Sequence, residues 1–282
     1  RGVVPEQLII GNGSNEIIEL LGHAFLGEGN EVVFGSQAFI VYKLVTLLFG
    51  AKPVEVPMPN FTHDLNAMAD AVTDHTRLVF IASPNNPTGT ASSENDLIEF
   101  ARALPDHVVF CLDEAYAEYC ESPPDLRPLM EEGRNVICMR TFSKIFGLAG
   151  FRIGYGYACR EMIGLLNRVR QPFNVNAAAQ VAAIAALEDD AFIGDCRRRN
   201  RKNGKILEAG LRGLGLDPVA SKANFLLVEF EDAVEAFQTL QRNGVIVRPL
   251  QPYQLPNYLR LTIGTQKQIQ KTLDILSGYL RA

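Results

Sequence analysis

Four short runs of consecutive apolar residues recur through the first half of the chain, at Val32–Phe34, Leu78–Ala82, Val108–Leu112 and Val136–Met139. A half-solvated strand alternates apolar and polar residues, whereas an unbroken run needs cover on both faces. The stretches between these runs have helical patterning. Ser93 to Leu104 is one, opened by the capping-box-like Ser93-x-x-Asp96. Buried strands alternating with amphipathic helices predict an α/β fold, a mostly parallel sheet sandwiched by helices.

Past about residue 158 the pattern changes. Glu161 to Val169 and a charged stretch from about Asp189 to Leu211 have helical patterns. Strand-like runs follow at Phe225–Phe230, Val245–Arg248 and Tyr258–Ile263, with a helix at Val234–Arg242 and another at the C-terminus. This predicts a smaller C-terminal α+β domain. The 282 residues, at roughly 150 per domain, suit a division into 1–190 and 191–282.

Charge and composition exclude several function classes. Lys plus Arg number 27 against 32 Asp plus Glu, a net charge of −5. That argues against a nucleic-acid partner, whose phosphates need a basic surface. The basic run Arg197-Arg198-Arg199-Asn200-Arg201-Lys202 is then expected to be a solvated helix face. No apolar stretch reaches the ~18 residues of a membrane span, so no membrane partner is expected. Five widely spaced cysteines without CxxC, and four histidines without HExxH, predict free thiols, a cytoplasmic setting and no metal site.

Ligands of open α/β sheets bind beyond the carboxyl ends of the strands. Phe39 and Tyr42 follow the first run. Ser83-Pro84-Asn85-Asn86-Pro87-Thr88-Gly89 follows the second, Asp113-Glu114-Ala115-Tyr116 the third, and Thr141-Phe142-Ser143-Lys144 the fourth. Gly11-Asn12-Gly13-Ser14-Asn15 leads into the helical run from Glu16, a turn suited to an anion. Glu16 stands where a dinucleotide loop needs its third glycine, and no Gly-Lys-Ser/Thr completes a Walker loop. A phosphate cradle, an aromatic plate, an amide, a carboxylate with a tyrosine, and a lysine suit pyridoxal phosphate. Its aldehyde takes a lysine amine, its ring a stacking partner, and its ring nitrogen a carboxylate.

The segments SPNNPTG, DEAYAEY and RTFSKIFGLAGFRIGYG resemble those of the fold type I pyridoxal-phosphate aminotransferases, and most closely the histidinol-phosphate group. GNGSNEIIELL, RQPFNVN and GVIVRPLQPYQLPNYLRLTIGT extend the likeness over essentially the whole chain. The resemblance implies that Lys144 joins the cofactor aldehyde and moves the proton. Asp113 would pair with the ring nitrogen, Tyr116 and Asn86 with the phenolic oxygen, and Phe39 with the ring face. Ser143, Arg152 and the backbone of Ser14 and Asn15 would hold the phosphate, with Thr141 as a helper. Arg260 would clamp a substrate carboxylate, and Arg248 would take a second anionic group, while Asn86 borders both cofactor and substrate.

Asn15 stands where members often carry Asp, and Phe39 where they often carry Tyr. Amino-acid and keto-acid substrates and a homodimer are implied, with histidinol phosphate and 2-oxoglutarate favoured. An aromatic aminotransferase or a threonine-phosphate-type decarboxylase would use the same scaffold, and a cofactor-binding regulatory domain is the non-enzyme alternative. Because the Gly-rich turn falls almost at the start, the N-terminal arm of the family is expected to be absent, leaving the small domain incomplete and the isolated chain weakly active.

Overall fold

A computed structural model describes residues 2–281. Its first sheet is built from β1 (Leu8–Gly11), β2 (Glu31–Gly35), β3 (Lys52–Val56), β4 (Thr76–Ala82), β5 (Val109–Asp113), β6 (Val136–Thr141) and β7 (Gly154–Ala158). They are laid out in the order β1-β7-β6-β5-β4-β2-β3. The strands from β6 through β3 run parallel, with Ala82 beside Asp113 and Asp113 beside Met139. The helices between them are α1 (Ser14–Phe25), α2 (Val41–Leu48), α3 (Leu65–Asp70), α4 (Glu94–Ala103) and α5 (Arg127–Glu131); α6 (Arg160–Val169) follows β7.

The apolar runs are covered on both faces. Val32 and Phe34 pack into one core with Ile17, Leu21 and Leu166, while Val33, between them, packs into another with Leu97 and Phe100. The expected helix beginning at Ser93 forms, with Ser93 Oγ accepting from Asp96 N at 3.2 Å.

Three strands of this sheet, β1, β3 and β7, lie outside the four apolar runs, and for β3 and β7 the residues show why. Edge strand β3 contains Lys52, Pro53 and Glu55, which an edge tolerates. β7 alternates glycine and tyrosine. It returns from β6 through a loop and pairs with it antiparallel, as β1 does with β7. No crossover helix is needed for that return.

Beyond α7 (Ala177–Glu188) and α8 (Asp190–Gly213), a second sheet has the order β8-β10-β9. It comprises β8 (Phe225–Glu229), β9 (Arg248–Leu250) and β10 (Leu255–Thr262). Its core joins Leu226, Val228 and Leu259 to Leu207 of α8, Leu240 of α9 (Ala233–Arg242) and Leu276 of α10 (Gln266–Tyr279). The strand expected over 245–248 begins only at Arg248. Val245 is taken by the end of α9: Gly244 adopts φ 72° and Val245 N donates to Leu240 O at 2.9 Å, a left-handed helix stop.

Candidate active site

Parallel β2, β4, β5 and β6 end on one edge of the large sheet, β1 ends there too, and antiparallel β7 begins there. Every cofactor-site residue expected from the sequence comes to that edge. Ser14, Asn15, Phe39, Asn86, Asp113, Tyr116, Thr141, Ser143, Lys144 and Arg152 line one cavity of about 160 Å³.

The anion cradle is built from backbone first. Gly13, the residue before α1, has φ 79° and offers no side-chain cap, so the first N–H groups of the helix stay open. A Cβ at Gly13 would stand 2.5 Å from Arg152 Nη2; glycine makes room for the guanidinium beside the helix end. Arg152 itself is left-handed, at φ 57° and ψ 65°, a conformation that costs a side-chain-bearing residue energy and clusters at functional sites. Its Nη1 donates to Ala149 O at 3.0 Å and to Ser143 Oγ at 3.4 Å. Ser143 N donates to Thr141 Oγ1 at 3.1 Å. These contacts place two hydroxyls and a cation around the helix N-terminus.

On the cavity floor, both carboxylate oxygens of Asp113 are held. Tyr42 Oη donates to Oδ2 at 2.8 Å, and Ala115 N donates to Oδ1 at 3.1 Å. Burial raises the Asp113 pKa, against these two hydrogen bonds and the charge of Lys144. Tyr42 is wholly buried and stacks on Phe80 with centroids 4.6 Å apart, while Phe39 meets it edge-on. Sequence reasoning gave Tyr42 only a place after the first apolar run, beside Phe39. No local signal assigns it to the carboxylate, which lies 71 residues further along the chain.

Lys144 Nζ lies 5.1 Å from the centroid of the Tyr116 ring. Burial, then the charge of Arg260, lowers the Lys144 pKa, and Asp113 opposes both. Burial pushes the Tyr116 hydroxyl up to about 12, with Arg260 opposing, so it stays a proton donor at neutral pH.

The two expected substrate arginines sit apart from this cavity. Arg260 lies on β10, the central strand of the small sheet, so it needs a partner rather than an edge. It has two: Nη1 donates to Asn86 Oδ1 at 2.5 Å, and the guanidinium lies 4.8 Å over the Phe225 ring. Among the described residues its buried Nε has no partner. The Asn86 bond leaves the amide Nδ2 as the free donor of that side chain. Arg248 lies directly opposite Arg260 across the β9–β10 pair and is exposed. Like charges directly opposite destabilise a sheet, and an anion between them relieves that cost.

Among the described residues, no group of His, Cys, Asp and Glu is placed to hold a metal, and no helix is long and apolar enough to cross a membrane.

The family model for aminotransferases of class I and II matches residues 2–276. The chain is 44% identical to histidinol-phosphate aminotransferase 2 of Pasteurella multocida, over 99% of this chain and 77% of that protein. It is 47% identical to histidinol-phosphate aminotransferase 2 of Pseudomonas fluorescens, over 99% and 76% respectively. Among solved structures it resembles the histidinol-phosphate aminotransferase of Sinorhizobium meliloti in complex with pyridoxal-5'-phosphate. That likeness has a TM-score of 0.93 at 27% identity, over 99% of this chain and 78% of that one.

Proposed function

Starting from the fact that the chain belongs to the class I and II aminotransferases, we propose that it moves an amino group between histidinol phosphate and 2-oxoglutarate. The products are imidazole acetol phosphate and glutamate, in histidine biosynthesis. The cofactor is pyridoxal 5'-phosphate. The residues present fit it: room left at Gly13 for the Arg152 guanidinium beside an open helix end, a buried carboxylate held on both oxygens, and an amine lining the same cavity. The observation that carries the substrate reading is the opposed arginine pair, Arg260 with an unpartnered buried Nε and Arg248 across from it. Histidinol phosphate carries a phosphate and glutamate two carboxylates, and each suits a site with two cations.

When bound, the cofactor supplies an aldehyde that takes up amino groups and a ring that draws electrons from the substrate carbon. Asp113 would receive the ring N–H, its oxygens oriented by Tyr42 and Ala115 N. Tyr116 Oη and Asn86 Nδ2 would donate to the ring oxygen, and Phe39 would cover one ring face. Ser14 N, Asn15 N, Ser143 and Arg152 would hold the phosphate, with Thr141 bracing Ser143. Lys144 Nζ, whose proton affinity is lowered by burial and by the charge of Arg260, takes the proton from the substrate carbon that bears nitrogen.

We further propose two structural units, 1–190 and 191–282, and a homodimer in the cytoplasm. Support for the dimer comes from Val181, Ile184 and Leu187 of α7 and Leu44, Leu47 and Leu48 of α2, all more than half exposed. The five cysteines are all free, as a reducing compartment keeps them.

The test is a half-reaction. Adding glutamate to the cofactor-loaded protein shifts the cofactor absorbance from the aldehyde-derived to the amine form, and histidinol phosphate does the same. Lys144→Ala lowers turnover by about a thousandfold or more. An absorbance unmoved by glutamate overturns the transaminase reading, and a response to glutamate but not to histidinol phosphate overturns the substrate.

A further inference from the structure

None of the residues of the basic run at 197–202 lines the catalytic cavity. On α8 its residues divide. Arg198 and Arg199 both pair with Asp195 on the same helix, as a solvated face does. Arg197 and Arg201, with Lys205 one turn further on, line a cleft of about 760 Å³, a volume in the usual range for small-molecule sites. Residues four apart share a helix face, so these three cations form one wall.

The other walls come from the large sheet's loops and from the segment entering β8. Lys222 stands there, and so do Ser83, Pro84 and Ser92. Two carboxylates border the cleft, and both are already engaged: Glu121 with Arg201, and Glu208 with Arg212. Among the described residues, Lys205 and Lys222 have no ion-pair partner, and the buried Ser92 Oγ has no hydrogen-bond partner. A positive concavity in a chain of net charge −5 concentrates anions.

We propose that this cleft is a second binding site, separate from the catalytic cavity, for a small phosphorylated molecule. Lys205 and Lys222 supply charge and Ser92 Oγ a hydrogen bond. Phosphoryl chemistry is favoured over carboxylate because the free cations are lysines, which act as point charges, and a phosphoryl group brings more negative charge to them than a carboxylate does.

The cleft also adjoins the catalytic edge. Pro84 lines both cavities. Lys222 N donates to Gly89 O at 2.8 Å, and a Cβ at Gly89 would collide with Ser221. The segment 83–89 is therefore fastened to the segment bearing Lys222, and within it Asn86 holds Arg260. A ligand that favours one placement of Lys222 biases the position of Asn86.

The test uses the full chain with cofactor bound, so that its phosphate cradle is filled, and inorganic pyrophosphate as the probe in calorimetric titration. Wild type and Arg248→Gln bind one pyrophosphate per chain at this site with equal affinity. The double variant K205Q/K222Q binds about tenfold more weakly or worse, with cofactor absorbance unchanged, and succinate binds at least about tenfold more weakly than pyrophosphate. Equal binding by K205Q/K222Q, loss confined to Arg248→Gln, no binding at all, or succinate as tight as pyrophosphate each overturns the proposal. Heat of binding is independent of turnover, so the outcome does not depend on the transaminase reading.

Discussion

Tyr42 and His63 are buried polar groups with opposite consequences. Tyr42 Oη donates a hydrogen bond to Asp113 Oδ2 at 2.8 Å, with both residues buried. A hydrogen bond to a charged group contributes about 1.5–3 kcal/mol. Tyr42→Phe is therefore expected to weaken cofactor binding roughly tenfold to a hundredfold while leaving the fold intact, read by absorbance titration of the cofactor. His63 packs against Gly35, and burial lowers its pKa to about 4. The folded state thus prefers the neutral ring. Its contribution to stability is whole above pH ~6.5 and is lost as pH falls from there toward 4, because the unfolded chain takes up the proton first. Unfolding in urea at pH 7 and pH 4.5 is expected to show His63→Gln losing less stability than wild type on acidification, by up to about 3 kcal/mol. Neither role was legible in sequence. A tyrosine on a helix and a lone histidine have no local pattern, and each is defined by what the sheet brings against it.

At the scale of elements, the Gly-rich turn into α1 was legible because its chemistry is local. Glycine adopts φ 79° at Gly13 without cost, and the helix that follows exposes its N–H groups whatever the rest of the chain does. Gly13→Ala adds strain of about 1–3 kcal/mol and a Cβ against Arg152. Cofactor affinity is expected to fall about tenfold or more, measured by dialysis against graded cofactor, with the far-ultraviolet circular dichroism unchanged. β4, β5 and β6 were legible too, since a strand buried on both faces announces itself in an apolar run. β1, β3 and β7 were not. An edge strand with Lys52, Pro53 and Glu55, and a Gly-Tyr alternation, owe their strand form to neighbours rather than to their own residues.

For the molecule as a whole, the bond between Arg260 and Asn86 joins residues 174 apart in sequence and ties the small sheet to the catalytic edge of the large one. A guanidinium between Leu259 and Leu261 needs a polar partner, and which partner it finds depends on how the two sheets meet. The exposed apolar residues of α2 and α7 are expected to be covered in the assembly. Light scattering on a sizing column should give the mass of two chains, and Ile184→Glu with Val181→Glu should shift it toward one; a wild-type mass of one chain rejects the dimer.

The sequence by itself determined the α/β class, the buried strands, the anion-binding turn, and the residue types at the strand ends from which the cofactor chemistry follows. These rest on local periodicity, backbone preference and the intrinsic reactivity of Lys, Asp and Tyr side chains. Tertiary structure decided the antiparallel placing of β7 between β1 and β6, the Tyr42 support of Asp113, the opposition of Arg260 and Arg248, and the cleft of cations beside α8. Each of these depends on which distant segments pack together, and burial and pairing are properties of that packing, not of any one stretch of chain.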